Sequence, residues 1–520
     1  MEKRTILAIL LSVAVLFAFQ VITARMYPVE NKEDISKKAA IVMPAQPSLS
    51  TLPVSKIEST VNESLDAEQE YIEFENDEVK INFANPGAYI ANINFKKYDE
   101  TLFLSGLMAV SEDLNLDFKA QKESNGIVFA YRDADKEIVK RFILHNDSYI
   151  IELERNVDIL KPAGASDSYN LFLASQIAKG SSYDNRFMEL AISTPKKVIR
   201  KNPAGLKPEI IFSGDSSWVG LRDRYFTFIV KPYVKVFNVF AIKADGQSQA
   251  VAMSITSQKK DSLSQGTYSD RFVCYAGPQD AEKLAFANLN FDSMLYFGFF
   301  DTISQVLLAV LKFFFKFTRN WGLAIICFGV FIFLLLLPLS IKQMRSLKEM
   351  QILQPKIKEL QAKYKGDAQR LNKEMMELYR EHKVNPFGGC LPLLLQLPVF
   401  FALYQALLRF VGLRGAAFLW IKDLSKPDRL IPLSGKLPVI GDGINILPLL
   451  MMGSMFLQQK MSTGNMSGGA SSEQQKMMSI MMPLMFGLIF YNMPSGLVLY
   501  WLVYGILSGV NQWRVSKKSK

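Results

Sequence analysis

The sequence predicts a chain in two unlike parts: a membrane α-helical core of six transmembrane helices, and an all-β domain outside the membrane. A cytoplasmic helical hairpin completes it. Three observations carry this fold class. Apolar and polar residues alternate with period two between Gln69 and Asp280, uncharged apolar runs of span length recur from Trp321 to Trp513, and basic residues crowd the segment between two of those runs.

Composition sets the frame. Of 520 residues, 49% are hydrophobic and 21% charged, which excludes a chain embedded throughout, because charged side chains are costly in hydrocarbon. The 60 Lys and Arg against 49 Asp and Glu leave a net charge of +11. That balance suits nucleic acid, anionic lipid or cytoplasmic loops until the positions of the charges decide. Cys274, Cys327 and Cys390 lie far apart without CxxC spacing, and His145 and His382 are the two histidines. Neither a disulfide framework nor a zinc site is expected.

Taken in order, Lys3 and Arg4 precede an apolar run from Thr5 to Phe19 that continues through Val21 and Ile22. A cleaved signal peptide ending near Ala24 is one reading. A retained anchor over 1–26, N-terminus inside, fits better, because the run nears the ~20 residues of a span and lacks a small-x-small cleavage site. Residues 27–68 are polar, with Pro28, Pro44, Pro47 and Pro53 and no sustained period, and read as a flexible tether. Over 69–290, Val79, Ile81 and Phe83 alternate with Lys80 and Asn82, and two strand-like runs flank His145-Asn146-Asp147-Ser148. About two hundred such residues suffice for a β-sandwich, with His145 in a turn. Residues 291–318 hold Phe297, Phe299, Phe300, Phe313, Phe314 and Phe315, interrupted by Asp301, Gln305, Lys312 and Lys316. An amphipathic helix lying on the outer membrane surface accounts for this, and a buried core helix is the alternative.

The remaining spans fall at 319–340, 388–411, 446–462, 477–493 and 494–513. The uncharged runs Ile446 to Gln459 and Met477 to Tyr491 are short, which implies tilt, local thinning or one end in a wet cavity. Between the second and third spans, 341–387 carries Lys342, Arg345, Lys348, Lys356, Lys358 and further basic residues, which place it in the cytoplasm together with the basic tail 514–520 and the Gly/Ser-rich loop 463–476. The loop 412–445 is then external, against the rule in holding Arg414, Lys422, Lys426, Arg429 and Lys436 but diluted by Asp423, Asp428 and Asp442. Within the hairpin, Met344, Leu347, Met350, Leu353, Ile357 and Leu360 step by three and four, with a kink expected at Pro355, and Leu371, Met375 and Leu378 repeat the pattern after Gly366-Asp367. Its mixed signs and few aromatics favour a solvated face over a nucleic-acid surface.

No GxxxxGK[ST], HExxH or GxSxG occurs, so nothing argues for an enzyme or a cofactor. The stretches 321–339, 390–408, 446–459 and 477–513 contain no Asp, Glu, Lys, Arg or His, which counts against an ion-coupled transporter. Their polar groups are amides and hydroxyls: Gln396, Ser454, Gln458, Gln459, Asn492, Ser495, Ser508, Asn511 and Gln512. These either bond between helices or line a wet concavity opening inward. Methionines cluster in the same region, as Met451, Met452, Met455, Met481, Met482 and Met485 illustrate. Flexible thioethers suit a surface that accepts varied apolar partners, and lipid-facing filler is the plainer reading.

Five motifs resemble the YidC/Oxa/Alb membrane protein insertase family: Arg319-Asn320-Trp321-Gly322; Leu353-Gln354-Pro355-Lys356-Ile357; Lys383-Val384-Asn385-Pro386 with Gly388-Gly389-Cys390 and Pro392; Trp420-Ile421-Lys422-Asp423-Leu424; and Pro494-Ser495-Gly496-Leu497-Val498-Leu499-Tyr500. Glu2-Lys3-Arg4 and the external domain, with Trp218 and Tyr225-Phe226, are similar to the Gram-negative bacterial type. The resemblance implies a multi-pass protein of the bacterial inner membrane with five spans as the insertase core, a periplasmic β-supersandwich and a cytoplasmic C-terminus. It implies insertion without nucleotide or cofactor, through a hydrophilic groove open to cytoplasm and lipid. The partners it implies are nascent membrane proteins, the Sec translocon with its accessory subunits, ribosome-nascent chain complexes and membrane lipids, with no direct nucleic-acid specificity. The groove would be lined by Phe333, Gln396, Gln458, Gln459, Ser495, Tyr500, Asn511 and Gln512, with Arg409 the nearby cation. One departure stands out: many members keep a groove arginine five residues before the Pro-Leu of the first core helix, and here that position is Phe333. The rival functions are an envelope assembly scaffold acting through the β-domain and, more remotely, a secondary transporter.

Overall fold

The computed structural model describes residues 70–517 except 99, 147, 162–167, 174–186, 203–208, 235, 245–247, 257–265, 286–288, 365, 383, 385–390, 438–440 and 464–469. The anchor 1–26 and tether 27–68 lie outside the described residues.

Alternation becomes antiparallel sheet. Glu70–Glu75, Val79–Asn85, Tyr89–Phe95 and Glu100–Leu107 form a four-stranded meander. A nine-stranded sheet is centred on Phe226–Pro232, Gly266–Pro278, Ile150–Ile159 and Lys136–Leu144, and a second four-stranded sheet runs in the order Glu209–Ser213, Val236–Ala244, Ser248–Thr256, Ser168–Leu173. The pleat sends Ile151, Leu153, Val157 and Ile159 to one buried face. Phe83 against Phe142 at 4.8 Å and Phe95 stacked on Phe226 at 4.4 Å join the meander to the large sheet.

The same register buries Arg155 beside its apolar neighbours. Asp113 accepts 3.0 Å bonds from Nε and Nη2 of Arg155 and lies 2.9 Å from Lys140 Nζ, all three side chains being at most 1% exposed. Burial works to raise the Asp113 carboxyl, but the two cations hold it well below the usual carboxylate range. Burial likewise draws Lys140 down to about 8 against the pull of Asp113.

The second half is helical. Its α-helices among the described residues are α1 (Ala281–Ala285), α2 (Asp301–Thr318), α3 (Trp321–Ile352), α4 (Gln354–Lys363), α5 (Ala368–Glu381), α6 (Leu391–Arg409), α7 (Ile446–Thr463), α8 (Ala470–Phe490) and α9 (Ser495–Lys517), with the paired strands Ile431–Leu437 and Gly441–Ile444 between α6 and α7. By length and composition, Trp321–Lys342 is the helix among the described residues long and apolar enough to cross a membrane, while Leu397–Arg409, Ile446–Gln459 and Ile480–Phe490 are shorter apolar helices.

Three elements differ from the sequence reading. The helix expected over 291–318 is broken: Phe291–Met294 is a separate 3-10 turn whose Phe291 and Met294 are 0% exposed in the β-domain core, and Gly298 at φ +87° turns the chain before α2 starts. Burial of Phe291 edge-on to Trp218, ring centroids 6.5 Å apart, overrides helical periodicity there. α2 itself buries Ser304, Leu307 and Leu311 and exposes Ile303, Val306, Phe313 and Phe317. Second, Pro355 does not kink a long helix. α3 runs through Pro338 to Ile352 and ends, and Pro355 sits in the first turn of α4, where its missing N–H costs nothing. Third, α8 begins at Ala470 rather than 477, taking up residues assigned to the loop.

The two halves meet at the turn before Phe226. Arg224 donates from Nε to Leu408 O at 2.7 Å and from Nη2 to Ser425 O at 3.3 Å. Beside it, Asp223 accepts 2.6 Å bonds from the backbone N of Tyr225 and of Phe226. Desolvation nevertheless pushes its carboxyl up to about 6. A carboxyl whose folded value lies above the unfolded one holds extra protons in the folded state, so its contribution falls as pH rises through that window. Asp223→Asn, which keeps an accepting oxygen, is expected to gain about 1–3 kcal/mol on the parent chain between pH 4 and 7. The guanidinium midpoint of the full chain in detergent reads this gap, and a gap independent of pH would refute it.

Candidate functional site

The helical bundle is built unequally along its length. α9 packs against α3, α6 and α7, and α8 lies against α7. Its buried apolar side chains occupy the half nearest the β-domain: Ala324 to Phe333 on α3, Ala402 to Leu408 on α6, Leu447 and Met451 on α7, Phe490 on α8 and Leu497 to Tyr500 on α9. Beyond these positions, apart from Pro483 on α8, the described apolar side chains of the same helices are half-buried or exposed, among them Leu334, Leu335, Phe456, Leu457, Ile506 and Val510.

The outer end is closed by the loop after α6. Phe418 and Ile421 exchange backbone bonds of 2.8 Å in a tight turn, and the Phe418 ring lies over Gly322, where a Cβ would come within 2.0 Å of it. Gly496 admits Leu413 and Ile325 to 3.1 and 3.2 Å of its own would-be Cβ. Asp428 Oδ2 accepts from the backbone N of Ile446 and Leu447 at 2.9 Å, capping α7, and from Trp420 Nε1 at 3.2 Å. Trp321 stacks on Phe315 with centroids 3.8 Å apart, which fixes α2 against the start of α3.

The inner half is held by polar contacts. Gln458 Nε2 donates to Ser508 Oγ at 2.8 Å, linking α7 to α9, and Asn511 Nδ2 approaches Met344 Sδ at 3.6 Å, linking α9 to α3. Gln459 and Gln512 are half-buried at the same level. The Gln396 side chain lies outside the described residues, its backbone being in α6.

The remaining residues named from sequence sit elsewhere. Ser495 is at the outer end, where its backbone N donates to Lys426 O at 2.8 Å and its Oγ bonds the same carbonyl. It begins α9, and that helix starts on the β-domain side. Tyr500 is 0% exposed, its ring 5.8 Å from Phe328 and 6.1 Å from Tyr504. Phe333, 9% exposed, meets the Tyr504 ring edge-on at 6.1 Å, so these rings form a floor between the tight outer half and the looser inner half. Arg409, the cation expected near the groove, ends α6 beside the β-domain and donates to Tyr296 O at 3.2 Å. The sequence contained no signal for Phe418 over Gly322, which requires knowing how the loop folds back.

Comparison with known proteins matches the chain to two family models. Residues 108–310 match the family model described as the YidC periplasmic domain, and residues 313–520 match that of the 60Kd inner membrane protein. The membrane protein insertase YidC of Geotalea uraniireducens is 32% identical over 571 residues, covering 99% of both chains. That of Syntrophobacter fumaroxidans is 36% identical over 390 residues, 73% of this chain and 68% of the relative. A crystal structure of an active YidC insertase with its first transmembrane domain resolved aligns with TM-score 0.42 and 18% identity over 85% of this chain and 92% of that one. With both parts matched in order and the Geotalea relative matched along nearly its whole length, the chain belongs to the YidC family of membrane protein insertases, inner-membrane proteins with a periplasmic domain that insert other proteins without being enzymes.

Proposed function

We propose that substrate segments enter the inner half of the bundle from the cytoplasm, wet by water and the amides of Gln458, Gln459, Asn511 and Gln512, and leave sideways into lipid. The observation that supports this most is the confinement of buried apolar side chains to the outer half, in helices that carry no ionisable residue through 446–459 and 477–513. Six spans, counting the anchor, put the hairpin and the C-terminus in the cytoplasm. The hairpin would serve as a platform at the groove mouth. Leu353, Ile357 and Val384, with Met350, Met375 and Leu378, give it a small core of its own. Nascent chains would arrive from ribosomes, with or without the Sec translocon.

Hydration of the inner half lowers the desolvation cost of moving a short polar segment part-way across, and short apolar helices thin what remains. Burying the client's apolar helix in lipid supplies the driving force, at about 25 cal/mol per Å² of apolar area. No nucleotide is required. With Phe333 packed against Tyr504 and Arg409 at the outer junction, recognition rests on amides and water rather than on a fixed cation. Gln458→Leu is expected to lower protease-protected insertion of a small single-span client by about tenfold, the equivalent of one lost hydrogen bond to a wetted site. Proteoliposomes of purified protein without ATP are the assay, and wild-type insertion by the variant would sink the assignment.

A further inference from the structure

Where α6 meets the β-domain, three guanidiniums gather around the backbone of residues 293–296. Arg200 donates to Glu189 Oε1 at 2.6 Å, to Ser293 O at 2.6 Å and to Met294 O at 3.2 Å. Arg222 donates to Glu189 Oε2 at 2.9 Å, to Tyr296 O at 3.1 Å and to Met294 O at 3.2 Å. Arg409 donates to Tyr296 O at 3.2 Å, with its guanidinium 5.7 Å from the Phe187 ring centroid. Glu189 is thus the carboxylate bonded to two of the three. Asp301 stands nearby with its oxygens accepting from Phe297 N and Gln305 Nε2.

Among the described residues positive charge is in excess, and its bonding is incomplete. The Nε–H groups of Arg222 and Arg409 are both buried with no acceptor among those residues, and Arg222 is 1% exposed. Burial, reinforced by Arg200, draws Arg222 below its ordinary value despite Glu189. An arrangement that leaves buried guanidinium N–H groups open is costly unless a further acceptor completes it. Arg200 and Glu189 retain 19% and 21% side-chain exposure, so the cluster is reachable. It also lies where α6 ends and where the chain enters α2, whose Ile303 and Val306 are exposed apolar side chains.

We propose that Arg200, Arg222 and Arg409 form a phosphate-group site, filled by the headgroup of an outer-leaflet anionic phospholipid or by free phosphate. Planar guanidiniums with open N–H groups match phosphate oxygens, and three guanidiniums against the bonded Glu189 and the nearby Asp301 leave charge for the anion to balance. The test uses the full chain in dodecyl maltoside, which supplies no phosphate. Phosphatidylglycerol, inorganic phosphate or chloride is added at matched ionic strength, with thermal midpoint and native mass spectrometry as readouts. Stabilisation by phosphatidylglycerol alone would make lipid the source, and equal stabilisation by inorganic phosphate would make it the free anion. Arg409→Gln should weaken the response about tenfold or more, with Arg409→Lys between the two. Glu189→Gln, which removes the built-in anion, should lower the midpoint without phosphate and recover it with phosphate, an outcome a purely structural salt bridge does not give. No response to either additive, or equal responses from the parent chain and Arg409→Gln, would overturn the proposal.

Discussion

Replacing Asp113 with alanine is expected to cost the β-domain about 3–5 kcal/mol, because it leaves two buried cations without their counter-charge. Lys140 and Arg155 are at most 1% exposed, and Asp113 is the carboxylate bonded to both. Neighbours compensate only in part: Glu112 is 3.7 Å from Arg155 Nη2 and one-third exposed, and Asp270 is 3.8 Å from Arg155 Nη1 and already accepts from Tyr169 OH at 2.7 Å. Lys140 retains its bond to Gly87 O at 2.8 Å, which satisfies one donor and no charge. Limited trypsin digestion of the full chain should cut within the nine-stranded sheet at far lower denaturant than in the parent. The cause is separable from a general packing loss. Asp113→Leu combined with Lys140→Met and Arg155→Met removes all three charges, and such apolar replacements are often neutral or stabilising. If the triple variant were as unstable as Asp113→Ala, the ion cluster would not be the source.

Gly322→Leu is the substitution expected to damage insertion most. Even a Cβ at 322 would lie 2.0 Å from the Phe418 ring, so the loop must lift away from α3. Overpacking of this kind costs about 1–3 kcal/mol. The loop that moves also contains Ile421 and Leu424, which are buried in the bundle core, and Asp428, which caps α7. On the proposed function, opening the outer end would turn the inward-opening groove into a leak, and insertion should fall to the level of empty liposomes. Phe418→Ala in the same chain makes room for the new side chain and should restore much of the activity. An unimpaired Gly322→Leu, or a double variant no better than the single one, would show that the outer seal does not matter for insertion.

Local pattern carried a large part of this fold. Period two in Ile150–Ile159 and unbroken apolarity in the first half of α3 are each decided by neighbours within a few residues, so they can be read in the sequence. What escaped was set by distant contacts. Phe291 leaves the helical pattern around it because Trp218 offers a buried partner. Arg155 stands at an apolar position of a strand, and only Asp113, brought in from another part of the chain, accounts for it. The candidate groove residues divide for the same reason. Gln458 and Asn511 can be placed at the inner end by counting along α7 and α9, whereas the partners of Ser495 and Arg409 lie on the external loop and in the stretch leading into α2.

The central claim is that a half-bundle without fixed charge takes up substrate through hydrated amides. The measurement that tests it most directly is protease-protected insertion into proteoliposomes of purified protein, without nucleotide. A single-span client would carry either an acidic external tail or the same tail with its carboxylates replaced by amides. The account predicts insertion of both tails within about twofold, and a drop of about tenfold for both when Gln458 and Gln512 are changed to leucine. Insertion confined to the acidic tail and untouched by loss of the two amides would contradict it.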